Sequence, residues 1–582
     1  MFRGFRWQLV LFILALALFA AAALFRLSRQ SQPAPPSETT PVPTIAPTQS
    51  SAPTHAVSHT STTPSQSSVS VYREGLVGSV QRLNPLFAHL NPPDRDITSL
   101  IFEGLFAFNE YGETIQRMAT ELIISGDGLE YVVRLRNDIQ WQNGLPFSAD
   151  DVVYTASLMS DPRYSEISPA GAFWQSVETQ KLSPHLIRFR LAQPYSSFPI
   201  LLTIGILPEH ALRGTTIEQL AQHPFNLSPI GTGAYQLDAL DTVDGQGITA
   251  LRLALSPIYH QRQGAQKGHL LHELHFQLYA DTTAALEAYY TGNIDAISGF
   301  APLTDLDSLP PSQLYRQVDS TLGVLIFNWG NAPFEERRVR QALSLSLNVP
   351  QLVQTHFGAA ATYADSPYVP GSSVYQPQQF WKTYDLVQAK TLWSSSEAAA
   401  SESDSDDANE DDSTTEPVQP YTLVIEEGTN LQGMANEIVS QWQLLGLDFV
   451  VEALDATNFR NRLETGRFDA AIVRQRIGAD PDLFRFWHSA QSGSGNFGAA
   501  SDNEIAENLE NARSEIFAAR RALLYQRFQE VFAEQVLAIP LFYPVYTFVV
   551  RDNIEGIQLG YLTSAADRFR GIQYWRPSTV AS

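Results

Sequence analysis

Along this chain, short apolar runs alternate with segments whose apolar residues recur at helical spacing, and capping residues mark many of the boundaries. Ser148-Ala-Asp-Asp151 has the spacing of a capping box, with Asp in place of Glu, and leads into the helix-like VVYTASLM. Asp281-Thr-Thr precedes AALEAYYTG, a short amphipathic helix stopped at Gly292, and the strand-like IDAISGF follows. Farther on, NEIVSQWQLLG closes at Gly446 before LDFVVEAL, and NFRNRLETG closes at Gly466 before FDAAIVR. That series reads strand, helix, strand, helix, strand, the order of α/β lobes whose binding loops sit at the carboxyl ends of strands. One such end is FDAAIVRQRIGADPDLFRFWH, residues 468–488. There an apolar run opens into Arg474, Arg476, Asp480 and Asp482, then Phe484, Phe486 and Trp487.

Three stretches break the alternation. Arg3 and Arg6 precede seventeen uncharged residues from Leu9 to Phe25, with Arg26 and Arg29 after them. A spanning helix needs roughly 17–25 residues and a signal-peptide core roughly 7–15, so residues 1–27 are read as an uncleaved membrane anchor. A cleavable signal segment, cut near Ala20 to Ala23, is the alternative; either way the remainder is exported. Residues 28–70 are almost entirely Ser, Thr, Pro, Gln and Ala, an extended linker with no core to bury. Residues 394–417 carry nine acids and no base, and are expected to be a disordered, solvated acidic loop. A calcium loop counted from Asp404 would need Gly at its sixth position and Glu at its twelfth, where Asn409 and Thr415 stand.

Composition narrows the function classes. The 582 residues are 44% apolar and 11% aromatic, a folded chain long enough for several structural units. A formal charge of −23 with scattered Lys and Arg argues against nucleic acid as a partner. The lack of cysteine removes disulfides, thiolate metal sites, Cys nucleophiles and an acylated anchor.

Other motifs carry little chemistry. Ser492-Gly-Ser-Gly495 does not fit a nucleophile elbow. His269, His272 and His275 suggest a metal cluster on a helix, but HELHFQL alternates like a strand, which sends neighbouring histidines to opposite faces. PIGTGAYQL lacks the third glycine of a nucleotide fingerprint and reads as a tight turn feeding a strand. Asp150 and Asp151 sit at a helix N-terminus, where negative charge is favoured without any function. Asp480 and Asp482 are open to acid–base work or to anchoring a positive group.

Several segments, in order, resemble the extracytoplasmic solute-binding proteins of ABC importers, the dipeptide, oligopeptide and nickel-binding family (family 5 type). LNPLF and IFEGLF resemble its opening, and LRNDIQWQNGLPFSADDVVYT its signature of strand, W-x-x-G-x-P turn and capped helix. SSFPILLTIGILPEHAL, GTGAYQL, AALEAYYTGNIDA, FNWGNAPFEERRVRQALSLSLN and RRALLYQRFQEVFAEQVLAIPLFYP are similar to later family segments.

The resemblance implies an α/β, two-lobed periplasmic-binding-protein fold, class II-like, with an extra subdomain in lobe 1 and a hinge between the lobes. Lobe 1 is expected over 71–320 with the insert at about 101–207, lobe 2 over 321–538, and a return to lobe 1 over 539–582. The resemblance also implies no catalysis and no cofactor. Implied partners are a peptide-like small solute, an ABC permease and its ATPase, with a monomeric ectodomain outside the bacterial cell membrane. In peptide-binding members an Asp after Gly-Trp-x-x takes the α-amino group; here Asp480 stands in that place, with Arg476-Ile477 replacing Gly-Trp. The segment before IFEGLF lines the other side of the family's cleft, which adds His89, Leu90, Asn91 and Asp94. Arg474 or Arg476 is suited to a carboxylate or to plain surface exposure. A membrane-anchored sensor on the same fold, and a hydrolase built on the carboxylate pairs, are the competing readings.

Overall fold

The apolar runs become strands of one twelve-stranded sheet that passes through two lobes. The computed structural model describes residues 70–245, 247–262, 271–300, 309–377, 384–404 and 419–578. The expected anchor and nearly all of the linker lie outside them. Among the described residues no helix is long and apolar enough to cross a membrane.

In lobe 1, β1 (Val71–Val77) pairs in parallel with strand Glu273–Tyr279, beyond which Gly247–Leu255 and Tyr235–Val243 continue antiparallel. Helix α1 (Pro92–Ile101) starts with two prolines, whose missing N–H groups cost nothing in the first turn. The change of lobe falls between β2 (Ser312–Val318) and β3 (Thr321–Phe327), joined only by Asp319 and Ser320. In lobe 2, β4 (Ala470–Arg476) runs antiparallel to β3, from Thr321 opposite Arg476 to Phe327 opposite Ala470.

The fourteen residues of β5 (Ala538–Arg551) serve both lobes. Residues 538–542 pair with β3, and residues 545–551 pair with β2. Between these halves, Pro544 offers its carbonyl to the Asp319 N–H at 2.8 Å. Gly323 faces β5 here, and a Cβ on it would lie 2.4 Å from the Phe542 ring, so the close approach of the two strands requires glycine.

Lobe 2 covers both faces of its sheet. Leu325 and Phe327 join one buried cluster with Trp442 and Phe449, while Leu322, Val324 and Ile326 join another with Phe528 and Phe532. This explains why its strands are continuous apolar runs rather than alternating ones. A separate four-stranded antiparallel sheet in lobe 1 holds Ala119–Ile124, Glu130–Leu135, Leu186–Arg190 and Glu178–Ser183.

The local signals map onto the structure as their chemistry suggests. Ser148 and Asp151 form a reciprocal capping box on helix Ala149–Met159, and helix Thr282–Thr291 ends at Gly292 with φ +81°. His275 lies in strand Glu273–Tyr279 and contacts Glu273 at 2.8 Å, while His269 is outside the described residues. The GTG turn packs on the end of α1; a Cβ on Gly231 would sit 1.9 Å from the Ile101 carbonyl oxygen.

The acidic stretch needs a correction. Residues 394–404 are not loop but the second half of helix Leu386–Asp404, and 405–418 lie outside the described residues. The run SSSEAAASE contains strong helix formers, and the helix is already nucleated where Ala389 is buried beneath it.

A buried ion cluster ties the ends of lobe 1 together. Arg568, fully buried, donates to Glu74 on β1 at 2.9 Å and pairs with Asp96 on α1 at 2.7 Å. Tyr72 donates to the other Glu74 oxygen at 2.8 Å. Two carboxylates around one guanidinium leave no spare positive charge, and burial is the largest influence on Glu74, raising its pKa. Arg568→Ala would strand both acids, and should lower stability by about 3–5 kcal/mol in urea unfolding. A loss below about 1 kcal/mol would show that the cluster is solvated rather than buried.

Candidate functional site

The site grows from the carboxyl end of β4. Ile477 donates its N–H to the Ser320 carbonyl at 2.8 Å, so the loop leaves the strand pinned to the crossing between the lobes. Gly478 then takes φ +68°, a left-handed turn that aims the following residues back across the lobe boundary. Its carbonyl accepts from the Tyr561 hydroxyl at 2.7 Å, and the Pro481 carbonyl accepts from Tyr368 at 2.9 Å.

Asp480 ends up facing lobe 1. One carboxylate oxygen accepts from the Tyr195 hydroxyl, and the other from Ser197 at 2.7 Å and from the Asp482 N–H at 3.0 Å. Ser196 continues this seam, donating its N–H to the Arg513 carbonyl at 2.7 Å and its hydroxyl to the Ala512 carbonyl at 3.1 Å. The tripeptide Tyr195-Ser-Ser197 is therefore the lobe 1 half of the contact.

Asp482 points the other way, accepting from Arg513 at 2.7 Å and from the Phe484 N–H at 3.0 Å. The Arg513 guanidinium lies 4.1 Å from the centre of the Phe484 ring, and Phe484 stacks on His488. Trp487 is buried edge-on against Phe532, a packing role.

Desolvation governs the titration of this pair. Burial raises the Asp480 pKa, against the lowering effect of its Tyr195, Ser197 and backbone donors. Asp482 is pushed up to about 6 by burial first and the Asp480 charge second, which outweigh Arg513. Tyr195 is held far above its ordinary range by burial and by the same carboxylate, so it is a hydroxyl donor at every physiological pH. Asp480 is a desolvated carboxylate whose donors are all neutral, an arrangement suited to receiving a cation.

The other sequence-selected residues lie elsewhere. Arg474 is exposed on β4 opposite Gly323, and Arg476 is exposed with a guanidinium nitrogen 2.7 Å from the Thr563 carbonyl. His89 Nε2 lies 3.0 Å from the Ile167 carbonyl, Leu90 is 52% exposed, and Asn91 donates to the Ser79 carbonyl at 2.7 Å. Asp94 is buried, with both oxygens occupied by the backbone N–H groups of Gln81 and Arg82 at 2.8 and 2.9 Å. From the first turn of α1 it ties down the Gln81-Arg82 segment.

Two cavities flank this geometry. A small one of about 20 Å³ lies beside Asp480, between Tyr111 of lobe 1 and Tyr368 of lobe 2. A large one of about 1200 Å³ lies within lobe 1, and Tyr111 lines it as well. Tyr195, Ser197 and Arg513 carried no sequence signal of their own, since a serine-rich turn and a helix-end arginine are common anywhere.

The chain as a whole is similar to known proteins. A di/tripeptide-binding protein of Pseudomonas aeruginosa (strain UCBPP-PA14) is 23% identical over 495 residues, 80% of this chain and 88% of that one. The oligopeptide-binding protein AppA of Bacillus subtilis (strain 168) is 22% identical over 493 residues, 83% of this chain and 88% of that one. Among solved structures, NikZ of Campylobacter jejuni in complex with Ni(L-His) superposes with a TM-score of 0.65 at 22% identity, covering 87% of this chain and 99% of that one. The family model described as bacterial extracellular solute-binding proteins, family 5, matches residues 113–497, a span that includes the Asp480 loop and its Tyr195 counterpart. The chain belongs to that family.

Proposed function

We propose that this protein captures a peptide or peptide-like solute between its lobes and presents it to the permease and ATPase of an ABC importer. The observation that carries the reading is Asp480, a desolvated carboxylate placed at the lobe boundary and served by neutral donors from both sides. An α-ammonium entering there gains a charge-assisted hydrogen bond and relieves the buried charge. Relatives of the chain are named for di- and tripeptides and for oligopeptides, which supports the same class of solute.

Recognition and closure are one event in this scheme. The Tyr195 to Ser197 segment meets the Asp480 loop only when the lobes are together, so a solute that bridges them shifts the balance toward the closed form. That closed form is what a membrane partner reads. Arg474 and Arg476, exposed on the strand leading to Asp480, are the lobe 2 cations available to a solute carboxylate. Residues 1–27 tether the protein at the outer face of the membrane, with 28–70 as a spacer.

Asp480→Ala should weaken binding of a free-amine tripeptide by at least tenfold in calorimetric titration while changing its N-acetylated form much less. Equal losses for both peptides would remove Asp480 as the amine anchor.

Closure should also respond to pH. In the closed form Asp482 titrates near 6, above the ordinary carboxylate value of 3.8, and Asp480 is shifted in the same direction. The closed form therefore holds protons that the open, rehydrated form has released, so acid favours closure and the advantage is lost as pH rises through about 6. The chain has no cysteine, so a dye pair can be placed at the exposed Ile123 and Leu444 after replacing each with Cys. The closed population measured by energy transfer should grow from pH 7 to pH 5; a fall would reverse the assignment.

A further inference from the structure

The loop at residues 194–198 is held stiffly by its own lobe. Phe198 is wholly buried, its ring centre 5.0 Å from that of Tyr131 and 5.3 Å from that of Phe189, both in the four-stranded sheet. The Tyr131 hydroxyl donates to the Tyr195 carbonyl at 2.9 Å, and the Tyr195 ring centre lies 5.1 Å from that of Phe173. Tyr195, Ser196 and Ser197 are thereby presented to lobe 2 with little left to order on contact.

Lobe 2 receives them at two separate places. Tyr195 and Ser197 donate to different oxygens of Asp480, which also accepts from the Asp482 N–H. A carboxylate has about four acceptor positions, so protein groups fill most of them. Ser196 goes instead to the end of helix Asn503–Ser514, with its N–H on the Arg513 carbonyl and its hydroxyl on the Ala512 carbonyl. The last turn of a helix has carbonyls without partners inside it, so lobe 1 here supplies a cap to a helix of lobe 2. The Arg513 guanidinium, 5.4 Å from the Tyr195 ring centre, packs over the same loop.

Each of these contacts is complete between protein groups. The cavity beside Asp480 holds about 20 Å³, and a single water molecule needs roughly 10–15 Å³. A peptide-sized solute therefore reaches the carboxylate only after the loop has withdrawn from it.

We infer that Tyr195, Ser196 and Ser197 form a latch that holds the lobes closed without a solute, so that its unfastening gates both entry and release. The latch itself rests on protein contacts alone, and only its effect on capture rests on the peptide-like reading. A population held closed in this way lowers the fraction of molecules competent to bind, which slows association without altering the anchor.

The test uses the full chain, dialysed exhaustively, shown to be solute-free by native mass spectrometry, and labelled at Ile123→Cys and Leu444→Cys. Single-molecule energy transfer at pH 7 should reveal a closed population in this chain. Tyr195→Phe with Ser197→Ala should lower the closed-to-open ratio at least tenfold, and Ser196→Ala, which leaves Asp480 untouched, should lower it severalfold. In stopped-flow mixing with a free-amine tripeptide, Y195F/S197A should associate and release faster than the parent chain, because opening precedes both steps. If the tripeptide does not bind, the peptide reading falls and energy transfer alone decides the latch. The latch is overturned if the solute-free chain is open throughout or if Y195F/S197A keeps its closed population. Faster release without faster association would also overturn it, by making the two hydroxyls solute contacts only.

Discussion

A single strand shared by two lobes is the constraint from which the rest of this structure follows. Because β5 pairs with β3 through its first residues and with β2 through its last, the lobes cannot separate without breaking a sheet ladder. They can only bend about the short crossing at Asp319, Ser320 and Pro544, where ladder pairing is interrupted. The loop that carries Asp480 starts from a hydrogen bond to Ser320, so the candidate site is mounted beside the crossing between the lobes. Bending then changes what faces Asp480 without moving Asp480 within its own lobe.

Two kinds of buried carboxylate divide the work. Glu74 and Asp96 surround Arg568 in a fixed cluster inside lobe 1, two carboxylates sharing one guanidinium. Breaking that cluster would strand ions in a core, and it joins β1, α1 and the C-terminal segment for that reason. Asp480 is buried at a surface that opens, and its donors are hydroxyls rather than cations. Hydroxyls can be exchanged for water or for a solute at modest cost, which suits a contact that must form and dissolve. Desolvation raises the pKa of both Asp480 and Asp482, as it does that of Glu74.

The larger cavity lies within lobe 1, and the smaller one lies beside Asp480 between Tyr111 of lobe 1 and Tyr368 of lobe 2.

Much of this was legible along the chain, where the interactions that decide it are short-range. The capping box at Ser148, the Gly292 stop and the strand leading to Asp480 depend on residues a few positions apart, and the ordered family-like segments pointed to the family. Composition alone misled where a helix and a solvated loop look alike, as in residues 394–404. The partners of the key groups were beyond reach. Tyr195 meets Asp480 across 285 residues, and Arg568 meets Glu74 across 494. Asp94, a sensible candidate by position, is consumed by two backbone amides that no pattern announces. The sequence by itself therefore determined the elements and singled out Asp480 as a candidate. Only the tertiary structure decided which charges are matched, which are shared between lobes and which stand unpartnered, because desolvation and pairing depend on what the fold brings within a few ångströms.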